Sequence, residues 1–296
     1  MSDKTLDKVD NKEAKAKEPE VITINLQPFL MPVSIIFSAI IISVSLFTGL
    51  NNIAMKVSGT GSTTTPVADT TTTGTGTTAT TAGAVTVTKE QIVALFNKDG
   101  VIKFGDSSKK ALLVEFSDPS CPYCHIAGGL DPELNQSAGA QFMLTSQGGT
   151  YIAPVEEMRK LVDSGQAGFA WVYTNGHGNG EMGTKAMYCG YEKGKFWEVH
   201  DLLMNNAGYT LLNTTVQNDK TKSQVVADFL KSAVDPSFMK SCLDSGKYDS
   251  KLNEDIAVAT SFGVSGTPGF FINQTNFAGA YSWTDMKSAA DAALGS

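Results

Sequence analysis

The stretch Ala111–Cys124 reads ALLVEFSDPSCPYC, a strongly apolar run followed directly by two cysteines three positions apart. Only Glu115 interrupts the apolar residues 111–116, and continuous apolarity predicts a central parallel strand that is covered on both faces. Pro122 suits the first turn of a helix, where an N–H is not needed, so we predict that a helix begins near Cys121. The two sulfurs then share one helical turn and can bond to each other, which indicates dithiol chemistry.

A second pattern lies far downstream, where residues 263–272 read GVSGTPGFFI. The apolar run after Pro268 predicts another buried strand, and a proline at its start can meet the two cysteines across a sheet edge. Between the two patterns the periodicity predicts several helices. The order is β-α-β, then helices, then β-β-α. It predicts one α/β domain over residues 85–296 with a helical insertion at about 153–262.

The N-terminal part of the chain predicts a membrane anchor and a tether. Residues 1–28 begin as a polar, charge-mixed segment and are predicted to be a disordered cytoplasmic tail. Residues 29–50 are dominated by Ile, Phe, Val and Leu, and about 20 such residues cross a bilayer core. A core helix is seldom apolar all round at this length, and the apolar part of a cleavable signal peptide is shorter, about 7–15 residues. We therefore predict a single-pass signal anchor, followed by a flexible Thr/Gly-rich linker over residues 51–84.

Basic residues predict the orientation of this anchor. Five lysines lie within the first 17 residues, whereas Lys56 is the only basic residue between the span and Lys89. Because the basic flank stays inside, the N-terminus is predicted to be cytoplasmic and the globular domain extracytoplasmic, at the cell membrane of a bacterial-type cell.

Composition argues against one class of partner and indicates whether the cysteines are bonded. The chain has 296 residues, a net charge of −7 and a pI near 5.0, which argues against nucleic-acid binding. Its four cysteines are an even number, and outside the cytoplasm an even count favours disulfides. We therefore predict a stabilising bridge between Cys189 and Cys242, each on an insertion helix. Two buried thiols, or a second redox pair, remain open alternatives.

Three motifs in this order resemble the DsbA-like branch of the thioredoxin superfamily, specifically its membrane-anchored exported members. They are VEFSD at 114–118 running into CPYC at 121–124, KFWEVHDLL at 195–203, and GVSGTP at 263–268 before FIN at 271–273. The resemblance covers the segment after the linker and implies a thioredoxin fold with a helical insertion, thiol-disulfide exchange, and no cofactor or metal. A Gly-, Ser- and Gln-rich stretch, about 128–151, is longer than the family usually has, so no substrate preference is implied.

Within this resemblance Cys121 is the predicted nucleophile. Only a thiolate attacks a disulfide, and a free cysteine has a pKa of about 8.5. The unpaired N–H groups and dipole of a helix N-terminus favour the negative charge, and stabilising the reduced dithiol makes its disulfide a stronger oxidant. Cys124, one turn deeper, is the predicted resolving cysteine. Pro122 and Tyr123 are predicted to tune the redox potential.

The resemblance also implies roles for residues outside the CPYC motif. It places Glu115 beneath the cysteines as an acid that shuttles a proton for the resolving thiol; the alternative is an edge glutamate that faces solvent. It makes Thr267-Pro268 a cis peptide whose bend exposes the backbone of Thr267 to an extended substrate. A trans Pro268 that opens an edge strand is the alternative. His125 is predicted to lie on the surface of the first helix.

Other chemistries fit parts of the pattern. Residues 121–125, CPYCH, match a c-type haem attachment signature, which predicts an electron carrier. Four cysteines could also hold zinc, although Cys189 and Cys242 are far apart in sequence. A purely structural Cys121–Cys124 disulfide and a binding-only module are further alternatives. The resemblance favours a disulfide-forming oxidase that acts on reduced exported proteins and is reoxidised by a quinone-linked membrane oxidoreductase. A reductase or isomerase is the closest rival.

Overall fold

The computed structural model describes residues 85–295. The predicted tail, the span at 29–50 and the linker at 51–84 lie outside the described residues and stay predictions. Within residues 85–295 no helix combines the length and the apolar character that crossing a membrane requires.

Five strands and eleven α-helices make up residues 85–295. The strands are β1 Ile102–Phe104, β2 Ala111–Ser117, β3 Ala167–Tyr173, β4 Gly269–Ile272 and β5 Thr275–Ala278. The helices before β4 are α1 Lys89–Asn97, α2 Pro122–Gly128, α3 Pro132–Ser137, α4 Pro154–Asp163, α5 Glu181–Glu192, α6 Phe196–Leu203, α7 Asn206–Thr210, α8 Ser223–Phe229, α9 Pro236–Asp244 and α10 Asp249–Ser261. The closing helix is α11 Trp283–Leu294.

The strands form one mixed sheet in the order β1-β3-β2-β4-β5. β2 runs parallel to β3, from Ala111 beside Ala167 to Ser117 beside Tyr173, and the other neighbours are antiparallel. Every residue of β2, β3 and β4 is buried. The continuous apolar run at 111–116 therefore marks a central strand, as predicted.

Helices cover both faces of the sheet, and the alternation of side chains along β2 separates the two faces. Val114 and Phe116 pack in one core with residues of α1 and α10. Leu113 packs in the other core, together with Cys121 and Cys124. Residues 115 and 117 share the face of Leu113, so their side chains lie on the cysteine side of the sheet.

One sequence prediction about the helices needs correction. The insertion predicted at about 153–262 encloses β3, which pairs with β1 and β2 and is part of the sheet. The helices that interrupt the strands after β3 are α5 to α10. Helix α9 carries Cys242, which was predicted to lie on an insertion helix; Pro236 opens this helix, and Asp235 caps it by accepting a hydrogen bond from the N–H of Phe238.

The stretch 128–151 folds into a compact unit beside α2. It contains α3 and two 3₁₀ turns, Ala140–Phe142 and Thr145–Gln147. The side-chain amide of Asn135 is buried and donates to the carbonyls of Ile126 and Phe142, each at 3.1 Å. These bonds fix the stretch against the helix that carries Cys124.

A disulfide joins Cys189 on α5 to Cys242 on α9, with the two Cα atoms 6.2 Å apart. It closes 53 residues of chain and ties together two helices of the insertion. Because both sulfurs are bonded, neither cysteine is a free thiol or can complete a zinc site with Cys121 and Cys124.

Candidate active site

Cys121 is the N-cap residue of α2, and Pro122 occupies the first helical turn. The carbonyl oxygen of Cys121 accepts from the N–H groups of Cys124 at 3.1 Å and His125 at 3.2 Å, which begins the helix at the first cysteine. Cys121 retains 4% of its surface exposed and Cys124 none. Both are free thiols, and the first is the one that a substrate can approach.

The environment separates the acidity of the two thiols. The pKa of Cys121 is lowered to about 6, chiefly by a hydrogen bond from the Cys124 thiol, against the opposing effect of burial. Contact with Thr267 and the N–H groups of Cys124 and Tyr123 lowers it further. Burial raises the pKa of Cys124 well above its usual value, and donation to Cys121 raises it more. At neutral pH the pair is therefore a thiolate at Cys121 and a thiol at Cys124.

The second sequence pattern meets the dithiol at the predicted place. The Thr267-Pro268 peptide is cis, and the carbonyl oxygen of Thr267 lies 3.5 Å from Sγ of Cys121. A groove beside it is lined by residues 263–269 together with Asn276, Ala278 and Gly279. Backbone groups of this loop thus lie next to the reactive sulfur.

Asp118 holds a glycine-rich loop against Thr267, a contact that the sequence analysis missed. Its buried carboxylate accepts from the N–H groups of Gly176 and His177, each at 2.9 Å, and from Ser120. A Cβ on Gly176 would overlap the Oγ1 of Thr267. Only a glycine at this position therefore allows the loop to lie so close to Thr267. An acid at the carboxyl end of a buried strand, directly before Pro-Ser, is the signal that could have indicated this role.

Glu115 is fully buried, so the solvent-facing alternative is wrong. Neither of its carboxylate oxygens has a hydrogen-bond partner among the described residues. Burial raises the pKa of this carboxyl, and the charge of His200 and the hydroxyl of Ser117 oppose the shift. A buried acid that holds its proton beneath the cysteines can exchange that proton. Its predicted role as the shuttle remains a prediction.

His125 is fully buried, contrary to the predicted surface position. Its Nε2 lies 2.8 Å from the carbonyl oxygen of Pro119, and its ring packs edge-on against Tyr209 at 4.9 Å. Burial lowers its pKa to about 4, so the ring is neutral at pH 7. A histidine enclosed in this way does not fit an axial ligand of haem, which must face an iron.

Tyr123 is the exposed member of the CPYC motif, with 49% of its surface accessible. Its ring meets Phe142 edge-on at 5.9 Å, and Phe142 in turn meets Tyr151 at 5.7 Å. The long 128–151 stretch therefore supplies an aromatic wall beside the dithiol. The Tyr123–Phe142 contact is where this stretch shapes the surface beside the dithiol.

Residues 155–292 match the model of a protein family described as Thioredoxin. The matched part runs from α4 into α11 and includes Thr267 and Pro268. The CPYC motif lies N-terminal to it, so the assignment of Cys121 and Cys124 rests on the geometry described above.

Two solved structures are similar to this chain. BdbD of Bacillus subtilis, in its oxidised form, is 17% identical, covering 67% of this chain and 94% of that chain with a TM-score of 0.47. The alpha-DsbA1 protein of Wolbachia pipientis is 16% identical, with 71% of this chain and 96% of that chain covered and a TM-score of 0.51. At 16% identity the likeness to alpha-DsbA1 shows a shared fold and nothing more.

One curated protein is similar in sequence over part of its length. It is the Na(+)/H(+) antiporter NhaA 3 of Salinispora tropica, 25% identical over 195 residues. The match covers 65% of this chain and 24% of the antiporter. The chain thus spans about a quarter of the length of the curated relative it matches, and nothing about ion transport follows for it.

Fold, family match and site together define the class of this protein. A thioredoxin sheet, a helical insertion, and a thiolate–thiol pair beside a cis-proline are the parts of a thiol-disulfide oxidoreductase. Residues 155–292 match the family described as Thioredoxin, and the described residues share the fold of alpha-DsbA1.

Proposed function

We propose that this protein is a membrane-anchored oxidase that introduces disulfides into exported proteins on the extracytoplasmic side. The observation that carries the proposal is the position of Cys121 at the N-cap of α2 beside the Cys124 thiol, an arrangement that lowers the pKa of Cys121 to about 6. A thiolate that is stable at neutral pH stabilises the reduced dithiol and therefore makes its disulfide a strong oxidant.

The reaction begins when a substrate thiolate attacks Sγ of Cys121 in the Cys121–Cys124 disulfide. A bond forms between Cys121 and the substrate, the bond to Cys124 breaks, and Cys124 leaves with the electron pair and takes up a proton. A second substrate thiolate then attacks the substrate sulfur of the mixed disulfide, and Cys121 leaves as a thiolate. The substrate loses two electrons and two protons. One proton stays on Cys124 and the other goes to water.

The loop at Thr267 supports recognition of an extended substrate. Its carbonyl lies beside the attacking position, and the adjoining groove is open along residues 263–269. Backbone pairing selects for an unfolded segment rather than for a particular side chain, which suits a catalyst of many substrates.

Two features support the extracytoplasmic location. The apolar residues 29–50 and the lysines before them predict an anchor with the domain outside. The Cys189–Cys242 disulfide fits an oxidising compartment. Reoxidation of Cys121 and Cys124 by a quinone-linked membrane oxidoreductase completes the proposed cycle.

The test follows disulfide formation in a reduced, unfolded protein with several cysteines, mixed with the oxidised full-length chain. The substrate is expected to gain disulfides stoichiometrically, and Cys121→Ser is expected to abolish the gain. If the chain instead reduces a disulfide-bonded substrate, the protein is a reductase. Labelling intact cells with a membrane-impermeant maleimide tests the location, and protection of Cys121 from the reagent until lysis would contradict it.

A further inference from the structure

We propose that Asn213 is a positioning residue for Cys121: its side-chain amide fixes the peptide bond between Ser120 and Cys121 and so sets the direction of the reactive sulfur. Asn179 in turn orients the Asn213 amide. The inference rests on the proposed thiol-disulfide exchange at Cys121, but it holds for either direction of that exchange.

The turn that leads into Cys121 is held by a residue from a distant part of the chain. Ser120 is fully buried, and its carbonyl oxygen accepts a hydrogen bond from Nδ2 of Asn213 at 3.0 Å. The two residues are 93 positions apart in sequence. On the other side of the same peptide bond, the N–H of Cys121 donates to the carbonyl oxygen of Asp118 at 2.9 Å. Both polar groups of this peptide bond therefore have a partner.

The hydrogen bonds of the Asn213 amide leave it one orientation. Besides Ser120, Nδ2 donates to the carbonyl oxygen of Tyr209 at 3.2 Å. A carbonyl oxygen only accepts hydrogen bonds, so the nitrogen of the amide has to face these two groups. Its oxygen, Oδ1, then accepts from Nδ2 of Asn179 at 3.2 Å. A rotation of the amide by half a turn would place acceptor against acceptor and lose all three bonds.

Asn213 lies on a π-helical turn, Leu211–Val216, that directly follows α7. Such turns are rare and are frequently found at functional sites. Tyr209, on α7, packs its ring against His125 of α2 at 4.9 Å. The segment 209–213 therefore contacts both the turn before Cys121 and the helix after it.

These contacts fix the plane of the Ser120–Cys121 peptide bond. In a trans peptide the C=O and the N–H point in opposite directions. Asn213 holds the oxygen and the carbonyl of Asp118 holds the N–H, so the plane cannot turn without breaking a hydrogen bond at a buried residue. The orientation of this plane relative to the Cα of Cys121 is its φ angle, −79° in the structure.

The φ angle of Cys121 decides what its sulfur faces. The side chain of an N-cap residue is directed at the N–H groups of the second and third helical residues, which here are Tyr123 and Cys124. These donors and the Cys124 thiol stabilise a thiolate only while the sulfur points towards them. Asn213 therefore influences the sulfur through the backbone, by holding the residue that carries it in the N-cap conformation.

The experiment compares Asn213→Leu with the wild type in the reduced full-length chain. Leucine keeps the branched shape of the side chain and removes its donors. The midpoint of thiolate absorbance at 240 nm should rise by about half a pH unit or more, because the loss of one hydrogen bond of ordinary strength corresponds to a shift of that size. The equilibrium constant for reduction of the dithiol by glutathione at pH 7 should fall by about threefold for the same reason.

The matched control is Asn206→Leu on α7. Asn206 is exposed, and its Nδ2 donates to Oε2 of Glu133 at 3.3 Å on the surface. This variant should keep both the wild-type midpoint and the wild-type equilibrium constant. If Asn213→Leu lowers the free energy of unfolding but leaves the midpoint unchanged, Asn213 has a structural role only and the inference is overturned.

A double variant tests whether Asn179 acts through Asn213. Asn179→Ala removes the bond that orients the amide but keeps the backbone N–H of residue 179, which donates to Oγ of Ser120 at 3.1 Å. It should raise the midpoint by less than Asn213→Ala does, and the double variant should match Asn213→Ala. An unchanged midpoint in Asn179→Ala, or shifts that add in the double variant, overturn the inference.

Two further points keep the test decisive. Should Asn213→Leu fail to fold, Asn213→Ala carries the same expectation, and an unchanged midpoint there also overturns the inference. All of these measurements compare variants with the wild type. They are therefore independent of the Cys121→Ser test, which decides whether the proposed function is right.

Discussion

The carbonyl oxygen of Thr267 lies 3.5 Å from Sγ of Cys121, although 146 residues separate the two in sequence. The contact joins Cys121, at the start of α2, to the loop that precedes β4. A Cys121 thiol can donate to this oxygen, whereas the thiolate cannot. The disulfide form of Cys121 has no proton to donate either, so in both the oxidised form and the thiolate the Thr267 carbonyl is left to accept a hydrogen bond from another donor.

Replacing Cys124 should raise the pKa of Cys121, because the Cys124 thiol is the largest cause of its lowering. Thiolate absorbance at 240 nm in the reduced protein should give a midpoint near 6, and Cys124→Ala should move it upward. Cys124→Ser keeps a donor of similar size and should move it less. Equal midpoints in the two variants would show that the hydrogen bond is not the cause.

The same ionisation predicts how stability depends on pH. The pKa of Cys121 is about 6 in the folded reduced protein and about 8.5 in an unfolded chain. A depressed folded pKa contributes stability that is complete above the unfolded pKa and lost as pH falls through the folded one. Urea unfolding should thus show that the free energy of unfolding of the reduced wild type rises, relative to that of Cys121→Ser, between pH 5 and pH 8. A constant difference across that range contradicts the shift.

Gly176→Ala should disturb the active site through Thr267. The added methyl group would overlap the Oγ1 of Thr267, and a forced shift of packed groups costs about 1–3 kcal/mol. We expect a lower free energy of unfolding and a higher Cys121 pKa, measured by urea titration and by absorbance at 240 nm. Gly266→Ala in the same region meets open space and is the control. If the two variants behaved equally, the close contact between Gly176 and Thr267 would not affect the active site.

Removing the Cys189–Cys242 disulfide should lower stability and leave the chemistry intact. A loop closed over 53 residues contributes about 2–4 kcal/mol, mainly by restricting the unfolded chain. Thermal unfolding of the Cys189→Ala/Cys242→Ala variant should show the loss. Exchange at Cys121 should persist below the new melting temperature; its disappearance would assign the second pair a redox role.

Glu115→Gln should stabilise the protein at neutral pH and less so in acid. Because burial raises the folded pKa of Glu115, its stability contribution is complete below the unfolded pKa, about 4.3, and is lost as pH rises. The variant should therefore exceed the wild type in free energy of unfolding by about 1 kcal/mol or more at pH 7 and approach it near pH 4. A pH-independent difference would indicate a carboxyl that titrates normally.

Local signals account for the parts of the site that sequence predicted well. The apolar run of β2 and Pro122 in the first turn of α2 both act within a few residues of where they are found. The approach of Pro268 to the dithiol required the family resemblance, because nothing near either segment specifies the other.

The misjudged residues depend on contacts between distant segments. His125 was expected at the surface, but Tyr209, on α7, covers its ring. Burial of Glu115 depends on neighbouring strands, with Trp171 and Phe270 beside it in register. Residue spacing within one helix or strand does not contain this information.

The central claim is tested most directly by equilibrating the Cys121/Cys124 pair of the full-length protein against glutathione buffers and quantifying the reduced fraction by alkylation. A dithiol stabilised by an ionised Cys121 should have a potential near the oxidising end of the superfamily, closer to about −120 mV than to about −270 mV. A value near −270 mV would contradict the oxidase assignment and leave a reductase in its place.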